Sequence, residues 1–311
     1  MSDSVRPTRT NGLSPPYTPA QLSTWIFLPT LVLEFLFCVS PLMPIAASIP
    51  VTLVFLSLAG ISVTYAYWAM STDPSDPRLV HHRKQQCQVA DSGNGAVATW
   101  NTEDPTKQCW ICDIQVGTKS MHCKFCNKCV DHFDHHCMWL NTCVGKANYK
   151  YFFRTMIFVN FMLLVDLVTQ IALIVDIYLG NGATKERAEE WFVVGTPIPV
   201  VVIMGVFAFL NIGSLSLIGQ LLAFHLKLQK EGISTYEFIV RDNRLRREKT
   251  TKLNELKVRR KTEIATAKEN GDSFLVFKLE KGGLLREQCG IACCDPLSLE
   301  ESENGTANGE P

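Results

Sequence analysis

Four long apolar blocks alternate with polar blocks along the chain. The first runs from about 22 to 70 and holds no Lys or Arg and one acid, Glu34. About 20 residues cross a bilayer, so this block is too long for one span. The stretch "SPLMP", Ser40 to Pro44, interrupts it near the middle. That break predicts two helices, over 22–42 and 46–70, joined by a tight hairpin. The third block covers 151–180 and the fourth 192–224. Continuous apolar runs of this length argue against buried core helices of a soluble protein. They also argue against a cleaved signal peptide, whose apolar core is only about 7–15 residues long. Glu34, Asp166, Gln170 and Asn211 interrupt the spans. Polar groups are costly in lipid, so these four are expected to face the bundle interior, as interhelical hydrogen bonds or as the lining of a cavity.

Charge sharpens this picture through its distribution. Thirty Lys and Arg balance thirty Asp and Glu, so bulk charge points to no nucleic-acid partner. The basic residues are nevertheless confined. All but Lys185 and Arg187 fall in 1–21, 71–154 or 225–311. Cytoplasmic loops carry the excess of basic residues, so both termini and the 71–150 segment are expected to face the cytosol. Trp25, Trp68 and Trp191 fall near predicted span ends, where indole prefers the interface. The expected organisation is an N-terminal cytosolic tail (1–21), two transmembrane helices (22–70) and a cytosolic cysteine-rich domain (71–150). Two further spans with a short lumenal loop (151–226) and a cytosolic C-terminal region (227–311) complete it. The fold class is thus an all-α, multi-pass integral membrane protein with a small zinc-stabilised domain between spans 2 and 3. Residues 241–270 form a basic helix suited to anionic lipid, and the acidic tail after Leu299 has the composition of a disordered segment.

Seven of the twelve cysteines lie between Cys109 and Cys143. A reducing cytosol disfavours disulfides, which leaves metal binding or catalysis. The spacing is that of zinc ligands: Cys109-x-x-Cys112, His122-Cys123-x-x-Cys126-x-x-Cys129, His136-Cys137 and Cys143. Two closed Cys₃His sites consume six cysteines, and one thiol is left over. Spacing alone does not say which. "DHHC", Asp134 to Cys137, sets a carboxylate, two imidazoles and a thiol within four residues. A carboxylate that orients a histidine, which in turn deprotonates a nucleophile, is the logic of a catalytic triad. Cys137 is therefore the candidate nucleophile, with one adjacent histidine as base and the other as ligand. The alternative is that His135, His136 and Cys137 are all ligands of a third metal centre.

Over Cys109 to Phe152 the chain resembles the DHHC protein S-acyltransferases, integral-membrane palmitoyltransferases. The shared pattern is C-x-x-C, HC-x-x-C-x-x-C, then DHHC-x-W-x-N-x-C-V-G-x-x-N-x-x-x-F. Trp139, Asn141, Gly145, Asn148 and Phe152 fill its tail. "DPS" (Asp73 to Ser75) and "STYE" (Ser234 to Glu237) approximate two further family motifs. Met138 stands where a proline is common, and Lys119 where arginine is usual. The resemblance implies one zinc on Cys109, Cys112, His122 and Cys129, and a second on Cys123, Cys126, His136 and Cys143. It makes His135 the base, Asp134 its orienting partner and Cys137 the nucleophile, and it leaves His132 as a solvated imidazole.

The activity so implied is two-step transfer of a long-chain acyl group from an acyl-CoA such as palmitoyl-CoA. The group passes through an acyl-cysteine enzyme to cysteines of membrane-associated proteins, on an endomembrane or the plasma membrane. About fourteen methylenes of a palmitoyl tail are worth about 0.8 kcal/mol each when buried, so the spans would shelter the tail beneath the thiol. The rival class is a non-catalytic, membrane-anchored zinc adaptor. Cys289, Cys293 and Cys294 lie outside the zinc segment and are candidates for acylation themselves.

Overall fold

The computed structural model describes residues 8–92, 105–192 and 195–289. The cysteines at 293 and 294 and the acidic tail lie outside them. Four helices are long and apolar enough to cross a membrane. They comprise Pro19–Leu42, Ile45–Ser71, Tyr149–Leu179 and Ile198–Glu231. We label the α-helical parts α1 (Pro19–Glu34), α2 (Ile45–Ser71), α3 (Pro77–Ser92) and α4 (Tyr149–Leu179). They continue as α5 (Ala183–Phe192), α6 (Ile198–Glu231), α7 (Thr235–Glu269) and α8 (Ser273–Cys289). The first span ends in a π-helical turn over Phe35–Val39 and a short 3-10 turn over Ser40–Leu42. The predicted hairpin therefore sits where the sequence placed it. The fourth span begins six residues later than the expected 192 and ends seven later than the expected 224. Residues 183–192 form α5, whose charged residues make it amphipathic, and Pro197 starts the span itself.

The spans pack around α4. It is the most buried of the four, with a third of its most apolar window enclosed against about a fifth for the others, and it packs on both α2 and α6. Phe35 stacks on Phe55 at a centroid distance of 3.9 Å. Leu31, Leu42, Met162, Leu163 and Met204 fill the same buried cluster. Outward positions such as Ile26, Leu53, Val168 and Phe209 are exposed, as a lipid-facing surface requires. The four polar residues inside the spans form one buried network. Gln170 donates to Glu34 Oε2 and Asp166 Oδ1, both at 3.1 Å, and Asn211 donates to Asp166 Oδ2 at 2.8 Å. The interhelical hydrogen-bond reading of these positions is the one the geometry realises.

The cysteine-rich segment between α2 and α4 is built from three short antiparallel hairpins. They pair β1 (Thr106–Cys109) with β2 (Ile114–Gly117), β3 (Met121–Cys123) with β4 (Lys128–Val130), and β5 (His135–Cys137) with β6 (Thr142–Val144). The membrane part is all helical, as expected, and the cysteine-rich domain between spans 2 and 3 adds these short hairpins. Each hairpin turns through a left-handed residue, Asp113, Asn127 or Asn141, and Asn and Asp tolerate that conformation best after glycine.

Two polar clamps fasten the hairpins to the membrane helices. After α2, Asp76 Oδ2 accepts from the Gly117 amide (3.0 Å) and the Ser120 hydroxyl (2.6 Å), and the Asp76 amide donates to Cys129 O. Before α4, the Asn148 side-chain amide donates to Ala69 O (3.0 Å) and Cys143 O (2.9 Å), and its oxygen accepts from Gly145 N. Beyond Phe238, α7 and α8 belong to a separate compact unit, in which Leu256 and Leu279 pack together.

Candidate functional site: two ligand clusters and a leftover thiol

The three hairpins repeat every 14 residues. His122 and His136 occupy equivalent places, as do Cys109, Cys123 and Cys137. Cys112, Cys126 and Leu140 align at the second knuckle position, then Asp113, Asn127 and Asn141 at the left-handed turn. Reading the period from the sequence would have found this, since Leu140 is the position where the third knuckle lacks its second cysteine. Leu140 is buried and packs with Cys137, Val144 and Phe152.

The first cluster gathers Cys109, Cys112, His122 and Cys129, and the second gathers Cys123, Cys126, His136 and Cys143. In the first, Cys112 Sγ lies 3.3 Å from His122 Nδ1 and 3.7 Å from Cys129 Sγ. In the second, His136 Nδ1 lies 3.4, 3.6 and 3.7 Å from the sulfurs of Cys126, Cys143 and Cys123. A tetrahedron with Zn–S of about 2.3 Å and Zn–N of about 2.0–2.1 Å has edges of roughly 3.5–3.8 Å. The donor sets and their spacing therefore fit one zinc each. Both clusters span two hairpins, so a bound ion would tie neighbouring knuckles together.

Cys137 belongs to neither group. The reason lies in strand geometry. Alternate residues of a strand point to opposite faces, so in β5 His136 points one way, toward the second cluster, while His135 and Cys137 share the other face. Cys137 is buried, packed with Ala69 and Met70 from the end of α2 and Phe152 and Met156 from the start of α4.

His135 stands between Cys137 and Asp134. Its Nδ1 lies 2.6 Å from Asp134 Oδ2, and the Cys137 sulfur is near enough to favour its charged form. Burial disfavours its charged form, but the bond to Asp134 and the nearby Cys137 sulfur outweigh that and raise its pKa to about 9. Asp134 is 4% exposed. Burial would raise its carboxyl, yet the His135 bond and the Thr235 amide hold it below the ordinary carboxylate value.

That amide comes from far away in sequence. Thr235 N donates to Asp134 Oδ1 at 2.8 Å. Gly232 ends α6 at φ 68°, a left-handed cap favoured by glycine, and bonds back to Leu228 and Gln229 carbonyls. Ser234 and Glu237 then form a reciprocal capping box. Ser234 N donates to Glu237 Oε2 at 2.7 Å, and Glu237 N donates to Ser234 Oγ at 3.1 Å. The amide of Ser234, and its burial-opposed bond, keep the Glu237 carboxyl low, with Lys119 4.0 Å away. The "STYE" stretch is thus a helix start whose first free amide is spent on Asp134. His132, at φ 44°, faces solvent beside Asp131 at 2.8 Å.

Residues 8–18 lie across the hairpins, which the sequence reading did not foresee. Arg9 N bonds Cys126 O, Gly12 N bonds Met70 O and Thr18 Oγ1 bonds Met138 O. Lys128, fully buried, donates to Thr10 O (2.8 Å) and pairs with Asp73 (2.5 Å). Gly12 is held so close to Leu140 O that any Cβ would collide with it.

The sequence pattern of the DHHC palmitoyltransferase family matches residues 102–242. Over 163 residues the chain is 34% identical to the probable protein S-acyltransferase 20 of Arabidopsis thaliana, covering 51% of this chain and 21% of that relative. Over 256 residues it is 29% identical to the human palmitoyltransferase ZDHHC11, covering 77% of this chain and 61% of that relative. The probable protein S-acyltransferase 22 of Arabidopsis thaliana is 38% identical over 150 residues, which cover 48% of this chain and 25% of the relative. The chain therefore spans between a fifth and three fifths of the length of these relatives.

Proposed function

We propose, on the premise that residues 102–242 form a DHHC palmitoyltransferase domain, that this protein is a membrane-embedded protein S-acyltransferase. It would move a long-chain acyl group from acyl-CoA to cysteines of membrane-associated proteins, with Cys137 as the relay. The observation that carries this reading is a thiol outside both four-ligand groups, on the same strand face as an Asp134-anchored imidazole and packed against membrane helices.

In the first half-reaction His135 takes the Cys137 proton and the thiolate attacks the thioester carbon. The carbonyl electrons move to oxygen. When they return, the bond to the CoA sulfur breaks, and His135 gives its proton to that sulfur. Asp134 holds the imidazole with Nδ1 toward itself and stabilises the imidazolium between the two transfers. The second half-reaction repeats these steps with a substrate thiol attacking acyl-Cys137. Both exchange one thioester for another, so no energy source is consumed. Cys109, Cys112, His122 and Cys129 would hold one zinc, and Cys123, Cys126, His136 and Cys143 another. Bound zinc would supply the folding energy that such short strands lack.

The Lys and Arg distribution supports cytosolic termini and a cytosolic Cys137. Purified protein incubated with acyl-CoAs of graded length should form a hydroxylamine-labile acyl-enzyme. Cys137→Ser should form none while keeping one zinc per four-ligand group. Label retained in Cys137→Ser, or a zinc lost from it, would refute the assignment.

A further inference from the structure

We infer that His225 is a further catalytic residue, whose Nε2–H stabilises the oxyanion formed when Cys137 attacks the acyl thioester. The inference rests on the acyltransferase reading and adds a group that neither the zinc clusters nor the Asp134–His135–Cys137 set contains.

His225 lies on α6, 88 residues beyond Cys137 in sequence, and is completely buried. Its ring packs on Phe152 at 5.1 Å, Phe224 at 5.7 Å and Tyr149 at 5.8 Å, and it faces the His135 ring at 5.9 Å. One ring nitrogen of His225, one of His135 and a carboxylate oxygen of Asp134 lie within 4.8 Å of one another. This histidine is therefore part of the wall around the base and not a distant core residue.

Its hydrogen bonding sets its tautomer. Tyr149 Oη lies 3.1 Å from His225 Nδ1. In the tautomer that the inference assigns, the phenol O–H donates to Nδ1. Nδ1 then accepts, and the ring proton resides on Nε2. That Nε2 is buried with no hydrogen-bond partner among the described residues. An unpartnered buried donor is destabilising, so its retention beside His135 points to a partner that arrives with the reaction.

The only acceptor the chemistry brings there is the acyl oxygen. Attack by the Cys137 thiolate forms a carbon–sulfur bond and moves the carbonyl π electrons onto that oxygen. The oxygen is bonded to the carbon that Cys137 attacks, and Cys137 shares a strand face with His135, whose ring His225 faces at 5.9 Å. A fixed donor in an aromatic, water-poor wall stabilises such charge far better than a solvated one. On collapse the carbonyl re-forms, the CoA thiolate leaves with the proton from His135, and Nε2–H returns to its unpartnered state. His225 neither loses nor gains a proton in the cycle.

The test separates oxyanion stabilisation from a structural role or an effect on the thiol. Alkylation of Cys137 by iodoacetamide uses the same thiolate and base but forms no oxyanion. His225→Phe keeps the ring packing and removes the donor. His225→Gln keeps a donor near the Nε2 position. Single-turnover CoA release should slow by about 10²–10³-fold in His225→Phe, the usual effect of removing one oxyanion donor, and recover most of that loss in His225→Gln. Alkylation rate, acyl-CoA affinity and zinc content should match wild type in both. If His225→Phe loses zinc, the comparison of His225→Gln with His225→Met replaces it. Equal loss of alkylation and acylation would overturn the assignment, as would wild-type acylation in the variant without a donor. Failure of the wild-type protein to load Cys137 would instead strike the acyltransferase reading itself.

Discussion

The backbone amide of Thr235 donates to Asp134 Oδ1 at 2.8 Å across 101 residues of chain. It joins the start of α7 to the carboxylate that orients His135. Asp134 thereby has one oxygen on His135 and the other on a helix N-terminus, whose partial positive charge favours its ionised form.

Thr235 follows the N-cap Ser234, a position that accepts proline without breaking a helix. Thr235→Pro deletes the donor and little else. A hydrogen bond to a charged group is worth about 1.5–3 kcal/mol, so acyl-enzyme formation should slow by roughly 10- to 100-fold. Zinc content should be unchanged. Acylation at the wild-type rate would show that Asp134 does not depend on this bond.

The two histidines of β5 should differ in kind. His136→Ala removes one of four cluster ligands, and the protein should lose one zinc per chain and melt at a lower temperature. His135→Ala should keep both ions and slow acylation by about 10²–10⁴-fold, the range for a lost general base. Metal analysis and calorimetry on both variants test the split. Equal zinc content and equal melting would contradict it.

The N-terminal strap should be sensitive at Gly12. A methyl group there meets Leu140 O, Leu140 C and Met70 Cβ together, two of them backbone atoms that cannot move aside cheaply. Gly12→Ala should cost about 1–3 kcal/mol, the usual penalty of overpacking. Faster tryptic cleavage at Arg9 should accompany the lower melting temperature. A variant as stable and as protected as wild type would mean that the strap is not held against the third hairpin.

Lys128 and Asp73 form an asymmetric pair, with Lys128 fully buried and Asp73 40% exposed. Removing the lysine lets Asp73 return to water. Removing the aspartate leaves a buried ammonium with only Thr10 O among these two partners. Asp73→Ala should therefore destabilise the protein more than Lys128→Met, by up to about 3–5 kcal/mol for an uncompensated buried charge. Chemical denaturation of both variants checks the order, and the reverse order would contradict the burial argument.

Much of this protein is legible in its sequence because the relevant physics is local. Lipid has no hydrogen bonds to offer, so a span must be a continuous apolar helix, and four such blocks stand out. Cysteines in repeated C-x-x-C spacing, with histidines among them, point to metal binding. Even the odd thiol is countable, since two Cys₃His sites use only six of the seven cysteines. The start of the fourth span was misjudged because apolar residues already begin at Phe192, while the helix starts only after Pro197.

What only the tertiary structure decided is which groups meet. The hydrophobic pattern does not reveal that β5 is a strand, and so does not say that His136 turns toward a ligand cluster while His135 stays with Cys137. Nor does it bring Thr235, His225 and Gly12 to the DHHC stretch. Those meetings follow from the packing of α6 on α4, from the left-handed cap at Gly232 and from the strap's bonds to Met70 and Cys126. Each is a contact between residues more than about 50 positions apart. Such contacts are selected by the shape and hydrogen-bonding capacity of whole elements, which no local stretch of sequence encodes.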